Sequence, residues 1–117
     1  MVNYEIMHGD NLIATITAQG QCRIRLSAFM PWNLYLEETD EFDGRLNNIT
    51  NFYYWCATRV LTLDRKYAKQ ILNSMGMSQA ATDKERAQIA LSYHCLTLSD
   101  IYWVKEAGED ISFAQIN

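Results

Sequence analysis

The hydrophobic repeat of this chain changes partway along, and a chain whose repeat changes must build two kinds of element. Over the first 27 residues apolar side chains recur at every second position. Tyr4, Ile6 and His8 alternate with Asn3, Glu5 and Met7. Leu12 to Thr17 is rich in β-branched residues, and Cys22, Ile24 and Leu26 alternate with Arg23 and Arg25. His8-Gly9-Asp10-Asn11 and Ala18-Gln19-Gly20-Gln21 separate these runs with residues that take positive φ at low cost. The pattern predicts a three-stranded antiparallel meander over about 3–27, with one apolar face and one wet face. Such a sheet needs a cover.

The cover is predicted from Asn48 onward, where the repeat becomes helical. Ile49, Phe52, Tyr53, Cys56 and Val60 share one helical face, and Asn48 or Thr50 is placed to cap it. Asp64 opens a second helix with the stripe Tyr67, Ala68, Ile71, Leu72 and Met75, and Gly76 follows as a C-terminal cap. Thr82-Asp83-Lys84-Glu85 is a capping box for a third helix, with the stripe Arg86, Ile89, Ala90 and Tyr93, running to Cys95. Between sheet and helices, 28–47 reads as irregular, with Asn33–Leu36 as a candidate fourth strand. The segment 96–117 is mixed: a helical turn at Ser99-Asp100, aromatic residues 101–104, a Gly108 turn and a capped start at Ser112. The reading is one α+β domain over 1–117: an N-terminal antiparallel β-meander packed against about three α-helices.

The totals bound the function classes. At 117 residues, 49% hydrophobic and 12% aromatic, the chain can fill one core and is not expected to be disordered. Its formal charge of −4 argues against direct nucleic-acid binding, which needs a basic face for phosphates. Cys22, Cys56 and Cys95 are odd in number and far apart, which suits buried thiols in a reducing compartment rather than a disulfide scaffold. No secretory hydrophobic region follows Met1, and no run approaches the ~18 apolar residues of a membrane helix. The expectation is a cytoplasmic protein that does not touch a membrane, in which the Asn48-Ile49-Thr50 sequon is accidental.

No motif carries self-contained chemistry. His8 and His94 lie in different elements, no paired-cysteine or paired-histidine spacing occurs, and the five glycines are scattered singly. Walker, Rossmann and kinase signatures are absent. The chain is therefore expected to be non-catalytic as it stands, with no cofactor and no metal.

Contact with a partner is the remaining role, and three groups of residues are its candidates. Glu37, Glu38, Asp40, Glu41 and Asp43 form an acidic run, either a solvated loop or a docking surface for a basic partner. Arg59 heads a basic group with Arg65, Lys66 and Lys69, which either meets an acidic partner or phosphate or pairs with that acidic run. Tyr54 and Trp55 lie off the centre of the first helical stripe, so this helix is apolar over most of its circumference. With Tyr102 and Trp103 they form either a partner surface or a helix covered on two sides.

Two stretches together carry a family resemblance. Tyr4-Glu5-Ile6-Met7-His8-Gly9-Asp10-Asn11-Leu12-Ile13-Ala14 resembles the opening strand, turn and strand of HipA-like proteins. Leu98-Ser99-Asp100-Ile101-Tyr102-Trp103 resembles a Leu-Ser-Asp-x-Tyr-Trp segment of the Gram-positive and mobile-element members, and Phe52, Trp55, Arg59 and Arg65 match a loose aromatic–Arg spacing. The resemblance implies the N-terminal subdomain of a serine/threonine kinase fold, with ATP-binding and catalytic motifs beyond residue 117. It equally implies a small stand-alone counterpart similar to the HipS antitoxin. No catalytic residue carries over.

The chain is thus expected to be a regulatory interaction module of the toxin–antitoxin kind. Its partner would be a kinase-fold protein or a downstream domain of its own, and it could also self-associate as a homodimer. The apolar Phe113 and Ile116 near the last residue add the expectation that the chain is cut from a longer one or that its end docks. The alternative is a small acidic phage or mobile-element protein that inhibits a host defence nuclease, its carboxylates standing where phosphates would sit.

Overall fold

The computed structural model describes residues 3–61, 82–97 and 100–116. Strands β1 (Tyr4–His8), β2 (Asn11–Ile16) and β3 (Cys22–Ile24) form the expected meander, joined by a two-residue turn at Gly9-Asp10 and a loop through Gly20. A fourth strand, β4 (Tyr102–Glu106), adds antiparallel to β1, giving the order β3-β2-β1-β4. Helices α1 (Phe42–Leu61) and α2 (Asp83–Ser92) pack together, and a one-turn helix α3 (Phe113–Ile116) follows β4. The chain is an α+β fold, a four-stranded antiparallel sheet with helices against it.

The core joins Ile6, Ile13, Ile16 and Val104 of the sheet to Phe52, Trp55 and Cys56 of α1 and Ile89 and Ala90 of α2. Strict alternation fails where the register shifts between Ile6 and Met7, so that Ile6 faces Ala14 but Met7 faces Leu12. Ile13 is the extra residue of this bulge, and Ile13 and Ala14 are both fully buried. The Ile13 carbonyl accepts from the amides of Arg25 and Leu26, which fixes the exit of β3. Met7, expected in water, is buried because it shares its face with its β4 partner Trp103, which Phe113 of α3 overlies at 6.5 Å between rings. The second face of the sheet is therefore also covered at this end.

Helix α1 begins six residues before Asn48. Arg45 donates its amide to Glu41 O, and Asp43 lies in the first turn, where a carboxylate suits the unpaired N–H groups. Gly44 belongs to the helix and packs beneath Thr39: a Cβ there would come within 2.5 Å of the Thr39 methyl. Neither Asn48 nor Thr50 is a cap. Asn48 sits mid-helix, 2% exposed, and donates to Gly20 O at 2.9 Å and Glu37 O at 2.7 Å while accepting from Glu37 N at 2.9 Å. Gly20 can approach because it takes φ +86° and lies against Arg45 O, where any side chain would collide.

Asn33–Leu36 is not a strand. Leu34 and Leu36 turn inward and Tyr35 outward, so the side-chain alternation is real, but its backbone partners come from helix amides. Asn48 holds Glu37, and Asn51 donates to Tyr35 O at 3.0 Å. The segment is a strap running antiparallel along α1. The capping box of α2 forms as expected, Glu85 N donating to Thr82 Oγ1 at 3.2 Å. The helix ends at Ser92 rather than Cys95, because His94 and Cys95 both turn to positive φ. The expected second helix from Asp64 to Gly76, with its basic residues Arg65, Lys66 and Lys69, lies outside the described residues, as does Ser99.

Asn48→Ala leaves the buried carbonyl of Gly20 and both polar groups of Glu37 without their partner. Its expected cost is about 2–4 kcal/mol of unfolding free energy, read as a lower urea midpoint at unchanged slope.

Candidate functional site

One side chain organises the region where α1, the strap and β4 meet. Arg59 is 5% exposed although it carries a charge. Its Nε donates to Cys95 O, Nη1 to Asp100 Oδ2 at 3.1 Å, and Nη2 to Asp100 Oδ1 at 2.7 Å and to Tyr102 O at 2.7 Å. The guanidinium lies 4.6 Å over the Trp55 ring. A planar fork suits this arrangement, since it meets a carboxylate with two parallel bonds and keeps further donors for carbonyls. Partial burial raises the Asp100 pKa, but the bonds and charge of Arg59, with the Tyr102 amide and the Thr97 hydroxyl, outweigh it and hold the group below its ordinary value. The expected pairing of Arg59 with the acidic run does not occur: its carboxylate is Asp100.

Around this knot the aromatic residues divide into floor and rim. Trp55 and Trp103 are 1% and 0% exposed, so neither offers the partner surface for which the sequence made them candidates; both are covered rings. Trp55 is closed in by Arg59 and by Tyr102, edge-on at 6.5 Å, and the Trp103 indole donates to Gly9 O. Tyr102 is half-buried, its hydroxyl donating to Phe29 O at 2.6 Å and its ring 4.8 Å from that of His8. Tyr54 stands outward at 57% exposure. The residues missed from sequence are on the strap: Trp32 is 87% exposed and Tyr35 70%. The signal for Tyr35 was present, since Leu34-Tyr35-Leu36 alternates and the flanking leucines have to face the core. Pro31 beside Trp32 marked a stiff entry to the strap.

Pro31, Trp32 and Asn33 on one side and Trp55, Thr58, Arg59, Asp100 and Tyr102 on the other enclose a groove of about 270 Å³. Its floor is rigid and hydrogen-bonded, and its rim carries the freely exposed Trp32. The acidic residues Glu37, Glu38, Asp40, Glu41 and Asp43 continue from the strap into the start of α1, all exposed. Glu38 also has a local task, accepting from the outward amide of Ile24 on the β3 edge at 2.7 Å.

A second cavity, about 280 Å³, lies on the far side between Tyr4, Ser92, His94, Lys105 and Glu109. His94 Nε2 is 3.3 Å from Glu109 Oε2, and Lys105 donates to Glu109 O. Here too desolvation raises the Glu109 pKa, while the Glu106 amide and His94 pull it down further, leaving it below its ordinary value. Burial pushes the Cys56 thiol well above its ordinary range and that of Cys22 up to about 11, the opposite of what an attacking thiolate requires. Among the described residues no three of His, Cys, Asp and Glu come together as a metal-ligating group, and no helix is long and apolar enough to cross a membrane. What the groove and strap provide is therefore shape, aromatic surface and negative charge.

Compared with protein-family models, with curated proteins and with solved structures, the chain matches none.

Arg59→Lys keeps the charge and loses the fork. The expected cost is about 2 kcal/mol, because the buried Arg59 charge would be left with fewer donors for the Cys95 and Tyr102 carbonyls and for Asp100. The pair also sets an acid limb. Asp100 has a folded pKa below its unfolded value, so its stabilisation is complete above the unfolded pKa and drains away as pH falls through the folded one. Urea midpoints measured from neutral pH downward are expected to fall less steeply in Asp100→Asn than in the wild type below about pH 4.

Proposed function

We propose that the chain is a non-catalytic interaction module that docks on a partner through the strap 31–36 and the outward face of α1. One observation carries this reading: Trp32, Tyr35 and Tyr54 stand exposed along one surface whose underlying layer is fully packed. Large rings left in water over a rigid floor are what a binding anchor requires, because little conformational entropy remains to be lost on association. The three residues follow the strap and the turns of α1 beneath it. Tyr35 is held beside Asn51, Tyr54 lies one turn further along α1, and Trp32 stands across the groove from Thr58.

The partner class rests on the sequence resemblance of 98–103 and of the opening hairpin to HipA-like proteins. In that reading the partner is a kinase-fold chain, or a kinase core that follows this domain in a longer protein, and the module restrains or completes it. It would act in the cytoplasm, where its three free, buried cysteines stay reduced. The competing reading, an acidic inhibitor that occupies a nuclease channel, uses the carboxylates of 37–43 but gives the adjacent exposed rings no role.

The test is calorimetric titration of this chain into the isolated kinase core of a HipA-like protein. Saturable binding is expected, with Trp32→Ala and Tyr54→Ala each weakening it by roughly tenfold, the usual loss when an aromatic anchor is truncated. Absence of binding, or variants that bind like the wild type, would defeat the proposal.

A further inference from the structure

The chemistry of the docking surface selects among partners. The strap and the start of α1 carry five carboxylates over 37–43 and no Lys or Arg between residues 31 and 44. Among the described residues none of these carboxylates has an ion-pair partner. Arg23 lines the same polar groove as Glu38 and Asp40 without pairing with either. The neighbouring surface is aromatic: Trp32 at the groove, Tyr35 between the inward leucines, Tyr54 on the adjacent turn of α1. Exposed ring faces attract cations, and an unpaired acidic run continuing from the same strap raises the local concentration of positive charge and repels acidic or phosphorylated partners.

The sheet offers no competing mode of recognition. On the β4 edge the Tyr102 carbonyl accepts from Arg59, the Val104 amide donates to His94 O, and the Glu106 amide donates to Glu109 Oε1. On the opposite edge β3 is only three residues long, and its Ile24 amide is taken by Glu38. Strand addition needs a row of vacant backbone groups, and both edges are short of them.

We propose that the occupant of this surface is a basic segment of a protein partner that runs along the strap, its Arg or Lys side chains lying over Trp32, Tyr35 and Tyr54 toward one end and facing the carboxylates of 37–43 toward the other. This rests on the docking reading above and adds the chemistry of what docks. The stems of such side chains are apolar and pack on the rings, while further along the segment the charged heads meet the acids. The surface thereby distinguishes an Arg- or Lys-bearing segment from an apolar one of the same length.

The intact chain is titrated with the synthetic peptide (Arg-Gly-Ser)4, and separately with (Glu-Gly-Ser)4, at low and at moderate salt. Isothermal titration calorimetry is the readout, since it does not depend on the ring that Trp32→Ala removes. Binding of the arginine peptide is expected. It should weaken by roughly tenfold on raising salt from about 50 to 300 mM and by roughly fivefold in each of Trp32→Ala and Tyr35→Ala. Both variants replace exposed rings, so unchanged far-UV circular dichroism is expected for each. No binding of the glutamate peptide is expected.

Equal affinity of wild type and both variants would mean attraction by bulk charge alone and would overturn the inference, as would failure of the arginine peptide to bind at low salt. A competition arm separates the two proposals. If the kinase core binds this chain and (Arg-Gly-Ser)4 fails to displace it, docking stands and the basic-segment inference falls. If the peptide binds in a Trp32-dependent way but the kinase core does not bind, the basic-segment inference stands and the kinase-partner reading falls.

Discussion

Arg59 is the point at which separate parts of the chain become one structure. It comes from α1, yet its bonds go to Cys95, Asp100 and Tyr102, which lie 36 to 43 residues further on. Through Cys95 it holds the chain just after α2, where His94 and Cys95 take left-handed conformations that cost non-glycine residues roughly 1–3 kcal/mol each. Through Tyr102 it holds the first residue of β4 against β1. A charged group this deep would be costly if its donors were idle. Here its three nitrogens all donate, and the Trp55 ring beneath takes the face of the guanidinium that hydrogen bonds cannot serve.

Asn48 repeats the same logic on the other side of α1. Its amide completes the hydrogen bonding of a strap that looks like a strand and has no strand beside it, and ties that strap to Gly20 in the meander. The helix therefore acts as a source of polar partners as much as an apolar lid. Both devices are single polar side chains within a largely apolar layer, so each fixes orientation where apolar packing alone would tolerate sliding. The exposed rings of the strap are held in place by this second device: Tyr35 stands outward because Leu34 and Leu36 are drawn in and the Tyr35 carbonyl is pinned by Asn51.

Local features of the sequence were legible. The hairpin around Gly9 and the Thr82–Glu85 box depend on neighbours within four residues, and both form where the pattern places them. Features that depend on distant chain were not. Phe42-Asp43-Gly44 looks like the end of an acidic loop until Thr39 and Glu41 are seen to seat a helix start there. Ile101–Val104 is too short to identify a partner strand, and its partner is at the opposite end of the chain. Trp55 and Trp103 could be read as surface anchors because part of their cover comes from distant chain: Tyr102 closes over Trp55 and Phe113 over Trp103. Of the rings that stand in water, Trp32 lies just before the Leu34–Leu36 alternation begins, where hydrophobic pattern is silent.

The pairing of β1 with β4 has a consequence for how the chain comes to be folded. Tyr4 lies beside Glu106, the Gly9 carbonyl receives the Trp103 indole, and the Phe113 amide reaches Asp10 Oδ1. On a ribosome the first hairpin emerges with one flank of β1 vacant, and the strand that closes it is made only after the meander and the helices between them. Until then an apolar hairpin with an open flank must be carried on a nascent chain. Contacts so distant in sequence slow the final closure, because a long loop must be ordered before they can form. The time between the emergence of β1 and that of β4 is the interval in which this protein is most exposed to mispairing with other chains.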